Sequence, residues 1–89
     1  MMKDMRTIHK YSISEPVLLP EGYRILKAAM QGDKPTIWVE LDKDREKVYS
    51  LQFVIYGTGE EMPDNPGIYL DTLFEGVLVW HVYYVIAEC

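Results

Sequence analysis

From Val77 to Ala87 the chain reads Val-Leu-Val-Trp-His-Val-Tyr-Tyr-Val-Ile-Ala, and His81 alone in that run is neither aliphatic nor a Trp or Tyr. β-Branched and aromatic side chains at this density suit a pleated strand and crowd a helix. Alternation divides the run into two faces. Leu78, Trp80, Val82, Tyr84 and Ile86 share one, and Val77, Val79, His81, Tyr83 and Val85 share the other. A strand apolar on both sides is expected at the centre of a sheet, or covered on both faces.

The rest of the chain supplies candidate neighbours. Ile68 to Phe74 reads as a strand joined to the Val77–Ala87 run by a two-residue turn, Glu75-Gly76. Thr36 to Asp42 alternates, with Ile37, Val39 and Leu41 on one face. Tyr49, Leu51, Phe53 and Ile55 do the same between Val48, Ser50, Gln52 and Val54. The charged link Lys43–Lys47 between those two runs has hairpin length, so they are expected to pair antiparallel. Thr7 to Ile13 reads as an N-terminal strand, and Pro16 and Pro20 bracket a short extended segment, Val17–Leu19.

Residues 21–31 admit two readings. Arg24 to Met30 holds good helix formers, with Pro20 and Gly32 placed as helix punctuation. Gly22 in the first turn and the hairpin-like Gln31-Gly32-Asp33 favour a strand, which is the preferred reading. Residues 57–67 hold three glycines and two prolines and are expected to be loop. The fold class expected is therefore mainly β: one domain, a small antiparallel meander of about six strands closing into a sandwich or partly open barrel, with one short helix as the variant at 21–31.

Eighty-nine residues with 48% hydrophobic and 26% charged side chains suit one globular domain. No apolar run approaches the roughly 18 residues of a membrane-spanning helix, and no signal peptide is expected behind Met-Met-Lys-Asp-Met-Arg. The single cysteine, Cys89, makes no internal disulfide and fits a reducing cytoplasm.

The net charge of −5 is unevenly spread. Residues 1–30 carry five basic groups and three acids, and the remainder carries four basic groups and eleven acids. No Lys or Arg follows Lys47, while Glu60, Glu61, Asp64, Asp71, Glu75 and Glu88 do. Phosphate backbones are met by Lys and Arg, so direct nucleic-acid binding is not expected. An acidic surface of this kind suits solubility, or a partner with a basic surface.

Candidate site residues lie in the C-terminal half. Gly57, Thr58 and Gly59 could cradle a ligand, although Glu60 and Glu61 follow and no Lys is near, unlike a phosphate loop. Glu60, Glu61 and Asp64 lack the regular oxygen spacing of a calcium loop, so no metal site and no cofactor are expected. His81 has no sequence-local acid to orient it as a base. With Trp80, Tyr83 and Tyr84 it belongs to an aromatic strand in a chain of seven tyrosines, a residue type favoured in sheets and at interfaces. Because a small domain buries only about 60% of its surface, some of these rings should stay exposed, which implies a homo-oligomer or a partner.

Taken in order, Gln31, the Trp38 strand, Gly57-Thr58-Gly59 with the Pro63-containing loop after it, Thr72, and Val79-Trp80-His81-Val82-Tyr83 resemble a domain-of-unknown-function family of short proteins of bacteriophages and prophages. The resemblance spans roughly residues 8–84. It carries over no activity and no catalytic residue. Its members tend to have a small residue where this chain has Tyr23, and often a His where it has Glu60. What it implies is a protein of the host-cell cytoplasm that binds and blocks a host protein, such as a defence component. Function is accordingly expected to be non-enzymatic binding through Gly57–Glu61, Asp64, Trp80, His81, Tyr83 and Tyr84. The alternatives are sequestration of a nucleotide-like signal and, further off, a hydrolase built on His81.

Overall fold

The structure is a computed structural model that describes residues 5–88; Cys89, read above as a reduced thiol, lies outside the described residues. Seven strands follow one another, β1 (Thr7–Ser12), β2 (Val17–Pro20), β3 (Arg24–Gln31), β4 (Lys34–Leu41), β5 (Val48–Gly57), β6 (Ile68–Glu75) and β7 (Leu78–Glu88). The segment open to two readings is thus strand β3, and no helix occurs among the described residues, so none there could cross a membrane.

The strands form two antiparallel sheets, ordered β1-β4-β3 and β2-β5-β7-β6. β7 is central, flanked by β5 and β6, as its two apolar faces demand. Two hairpins are local. In β3–β4, Gln31 pairs with Lys34 across Gly32-Asp33, and Gly32 takes φ 64°, which a side chain would resist. In β6–β7, Glu75 pairs with Leu78, so the turn residues are Gly76 and Val77, one place later than the expected Glu75-Gly76.

One expected pairing fails. β4 and β5, joined by a link of hairpin length, lie in different sheets. Both edges of β4 are taken, by β1 and β3, so β5 has no edge to join, and the chain turns away at Asp42, which is only 7% exposed. Its Oδ1 accepts the Asp44 N–H at 3.0 Å, its carbonyl accepts the Arg45 N–H at 3.2 Å, and its Oδ2 accepts from Arg45 Nε at 3.4 Å. That turn takes the chain out of one sheet and into the other. The alternating apolar faces of the two strands then oppose one another across the core instead of lying side by side.

The core is a single layer between the sheets. Ala28, Ile37, Val39 and Leu41 enter from the three-stranded sheet, Val17, Leu19, Leu51, Leu73 and Val82 from the four-stranded one, and Ile13 from the link between β1 and β2. Each fully buried aliphatic chain stabilises by about 1.5–3 kcal/mol relative to exposure. The shortest extent of the molecule is 16 Å, room for two sheets and nothing outside them, so both outer faces meet solvent.

Pairing also sorts charge by sheet. The strands of the three-stranded sheet carry Lys10, Arg24, Lys27 and Lys34 against one carboxylate, Glu40. Those of the four-stranded sheet carry Asp71, Glu75 and Glu88 and no Lys or Arg. The sequence asymmetry becomes a difference between the two sheets, although Asp71 and Glu75 pair with Val82 and Leu78 and so lie on the register of the core side.

Candidate functional site

The outer face of the four-stranded sheet is built by register. Tyr83 on β7 stands opposite Val54 on β5 and Tyr69 on β6, and His81 stands opposite Tyr56 and Thr72. The rings meet edge to face, with centroids 5.8 Å apart for Tyr56–Tyr83 and 5.5 Å for Tyr69–Tyr83. These are favourable aromatic geometries. Three tyrosines thus cross three strands as one row.

A polar chain runs beside that row. Thr58 Oγ1 lies 2.9 Å from His81 Nε2, and His81 Nδ1 lies 3.1 Å from Thr72 Oγ1. Thr72 Oγ1 in turn lies 2.6 Å from the Tyr69 hydroxyl. In a neutral imidazole one nitrogen donates and the other accepts, so the chain of hydroxyls has a direction set by the tautomer. A bulge between Tyr69 and Asp71 lets Tyr69 and Thr72 share this face, and the Asp71 Oδ1 accepts the Thr72 N–H at 2.8 Å.

Around this centre the surface is apolar and open. Phe74 is 70% exposed and Val77 at the hairpin tip 97%, and Tyr69 and Val85 are also exposed. An exposed patch of this kind on a small domain marks an interaction surface.

The residues expected to form one site divide between two faces. His81, Tyr83 and Thr58 belong to the outer surface. Trp80 and Tyr84 point to the core side, where Tyr84 packs on Phe53 with ring centroids 5.8 Å apart. Beneath them Tyr23 has its phenol pKa raised, first by burial and then by the neighbouring Tyr84 and Tyr49. Gly57 pairs with Trp80, and a side chain added there would come within 3.4 Å of the indole. Gly59 takes φ 90°, and Glu60 closes the turn by accepting the Gly57 N–H at 2.8 Å. Glu61 and Asp64 lie exposed in the loop that leads to β6. Among the described residues no group of three or more His, Cys, Asp or Glu side chains could hold a metal ion.

Two features were missed by sequence reasoning. Thr72 joins His81 to Tyr69, a role visible only once β6 and β7 are in register. On the opposite sheet Trp38 stands between Lys10 and Lys27, paired with both across its two neighbours. Their spacing in sequence gives no hint of that row.

The chain matches the family described as Domain of unknown function (DUF7352) over residues 5–88, and it belongs to that family. No curated protein and no solved structure matches it.

Proposed function

We propose that this DUF7352 member is a non-enzymatic binding domain that docks another protein on the outer face of its four-stranded sheet. The observation that carries this reading is the face itself: a Tyr56–Tyr83–Tyr69 row with exposed Phe74, Val77 and Val85 around it, on strands without a Lys or Arg, and with exposed Glu60, Glu61 and Asp64 in the loop between β5 and β6. Tyrosine and phenylalanine are the anchors of protein interfaces, and carboxylates at the rim steer toward basic surfaces. The partner is accordingly a protein with a basic surface. On the resemblance to short phage and prophage proteins, it is a host protein, a defence component among them, and the bound domain blocks it in the host cytoplasm.

Hydrolysis gains no support from the site. Both nitrogens of His81 engage threonine hydroxyls, whereas a histidine base is oriented by a carboxylate. A nucleotide-like ligand is also the weaker reading, because no cation on these strands is there to meet a phosphate. Self-association through the same tyrosine row is the competing use of the face.

The test is affinity capture from host lysate with wild type, a Tyr83→Ala/Phe74→Ser variant and an Ile8→Ser control on the other sheet. A specific, salt-sensitive partner retained by wild type and the control, and lost by the face variant, is expected. Equal retention by the face variant contradicts the reading, and a wild-type dimer in sedimentation that dissociates in the face variant assigns the face to self-association.

A further inference from the structure

At the end of the sandwich where β3 turns into β4, the two sheets part around a cavity of about 210 Å³. Each sheet contributes three residues to it: Met30, Asp33 and Pro35 from one, Ile55, Glu75 and Trp80 from the other. The walls are apolar and aromatic, and the polar side chains among the lining residues are two carboxylates and the indole N–H. Trp80 is fixed there, because its Nε1–H donates to Glu75 Oε1 at 3.0 Å. That bond engages one oxygen of Glu75.

We infer that this cavity receives the side chain of a lysine or arginine from the docked partner. The inference rests on the docking reading above and supplies its anchor. Three properties select the ligand. First, the volume is below the about 300–1,000 Å³ of pockets that enclose drug-sized ligands, and so fits one side chain. Second, Met30, Pro35 and Ile55 offer an apolar sleeve for a methylene stem, which long cationic side chains bury readily. Third, an indole beside two carboxylates attracts a cation and repels a phosphate or carboxylate.

The cavity also adjoins the proposed docking face. A second hollow, lined by Gly57, Thr58, Val77, Leu78, Val79 and Trp80, shares Trp80 with it and contains Thr58 and Val79 of the outer surface. A partner lying across the tyrosine row therefore has a continuous path over the β6–β7 turn to Trp80. The hydrogen bonds around Glu60 hold Gly57 against the indole along that path.

The experiment titrates the whole protein with N-acetyl-lysine methylamide and N-acetyl-arginine methylamide, and follows the Trp80 indole N–H resonance in a Trp38→Phe background. N-acetyl-norleucine methylamide, the same stem without charge, is the control. Saturable shifts with either cation, and none with norleucine, are expected at millimolar concentration. Glu75→Gln keeps an acceptor for Trp80 and removes the charge; it is expected to weaken binding about tenfold, the loss of one charge-assisted contact. Asp33→Asn is expected to act in the same direction. No shift, an equal response to norleucine, or unchanged affinity in both variants overturns the inference. If these probes fail while the tyrosine-face variant still loses its partner, the pocket reading falls alone. If they bind while that variant keeps its partner, the docking reading falls alone.

Discussion

His81 Nε2 and Thr58 Oγ1 lie 2.9 Å apart although 23 residues separate them in sequence. The contact ties the turn after β5 to the centre of β7. Together with the 3.1 Å approach of His81 Nδ1 to Thr72 Oγ1, it fixes the imidazole from both sides. An imidazole so held orders the face on which Tyr56, Tyr69 and Tyr83 stand.

Thr72 is the centre of this chain of hydroxyls, so Thr72→Val leaves both Tyr69 and His81 short of a partner. The expected cost is about 0.5–1.5 kcal/mol, read from the denaturant midpoint. A double-mutant cycle with His81→Ala should show coupling, because the two residues share one network. Additive effects would mean that the chain does not act as a unit.

Gly67 is the glycine least open to replacement. It takes φ 103°, and an added Cβ would lie 2.6 Å from the Tyr84 carbonyl oxygen. Gly67→Ala must therefore move the start of β6 away from β7, and a loss of at least about 1–3 kcal/mol is expected. Gly59→Ala shares a positive φ but meets no atom within 4 Å, so it should cost less. Thermal unfolding of the two variants side by side checks the order.

Asp42 braces the turn that carries the chain from one sheet to the other. Asp42→Ala removes the acceptor of the Asp44 N–H and the partner of Arg45, and about 1–3 kcal/mol of stability should go with it. Asp42→Asn keeps the acceptor and should recover most of that loss. Equal loss in both variants would place the effect in the charge and not in the turn.

Stability should fall at alkaline pH. Burial raises the pKa of Tyr11 and of Tyr23, and the hydrogen bond that Lys47 donates to Glu88 raises that of Lys47. For each group the folded state holds its proton more tightly than the unfolded chain. The contribution is complete below the unfolded values, about 10 for both residue types, and is lost as pH rises through the raised folded ones. Lys47 is exposed, so its share should fade with added salt. The denaturant midpoint followed from pH about 8 to 11 should decline, and Tyr23→Phe should flatten part of the decline. A flat profile would contradict the burial argument.

The strands were legible in the sequence because alternation is a property of the strand alone. Val77–Ala87, Thr36–Asp42 and Tyr49–Ile55 all stand where the period of two puts them. Pairing was legible only where a turn residue dictated it, as at Gly32 and Gly76. β4 and β5 show why it fails elsewhere: a five-residue charged link suits a hairpin or a sheet crossing, and the pairing of β4 with both β1 and β3 leaves only the crossing. The site was half legible. Alternation already separates Trp80 and Tyr84 from His81 and Tyr83, which marks two surfaces and not one. The Thr58–His81–Thr72 contacts depend on the register of three strands, and no local pattern encodes it.

The docking face is tested most directly by hydrogen exchange on the protein with and without its captured partner. Protection concentrated in β5, β6 and β7, around Tyr56, Tyr69, Phe74 and Tyr83, is the expected result. Protection confined to the other sheet, around Lys10, Trp38 and Lys27, would contradict it and move the interface to the basic face.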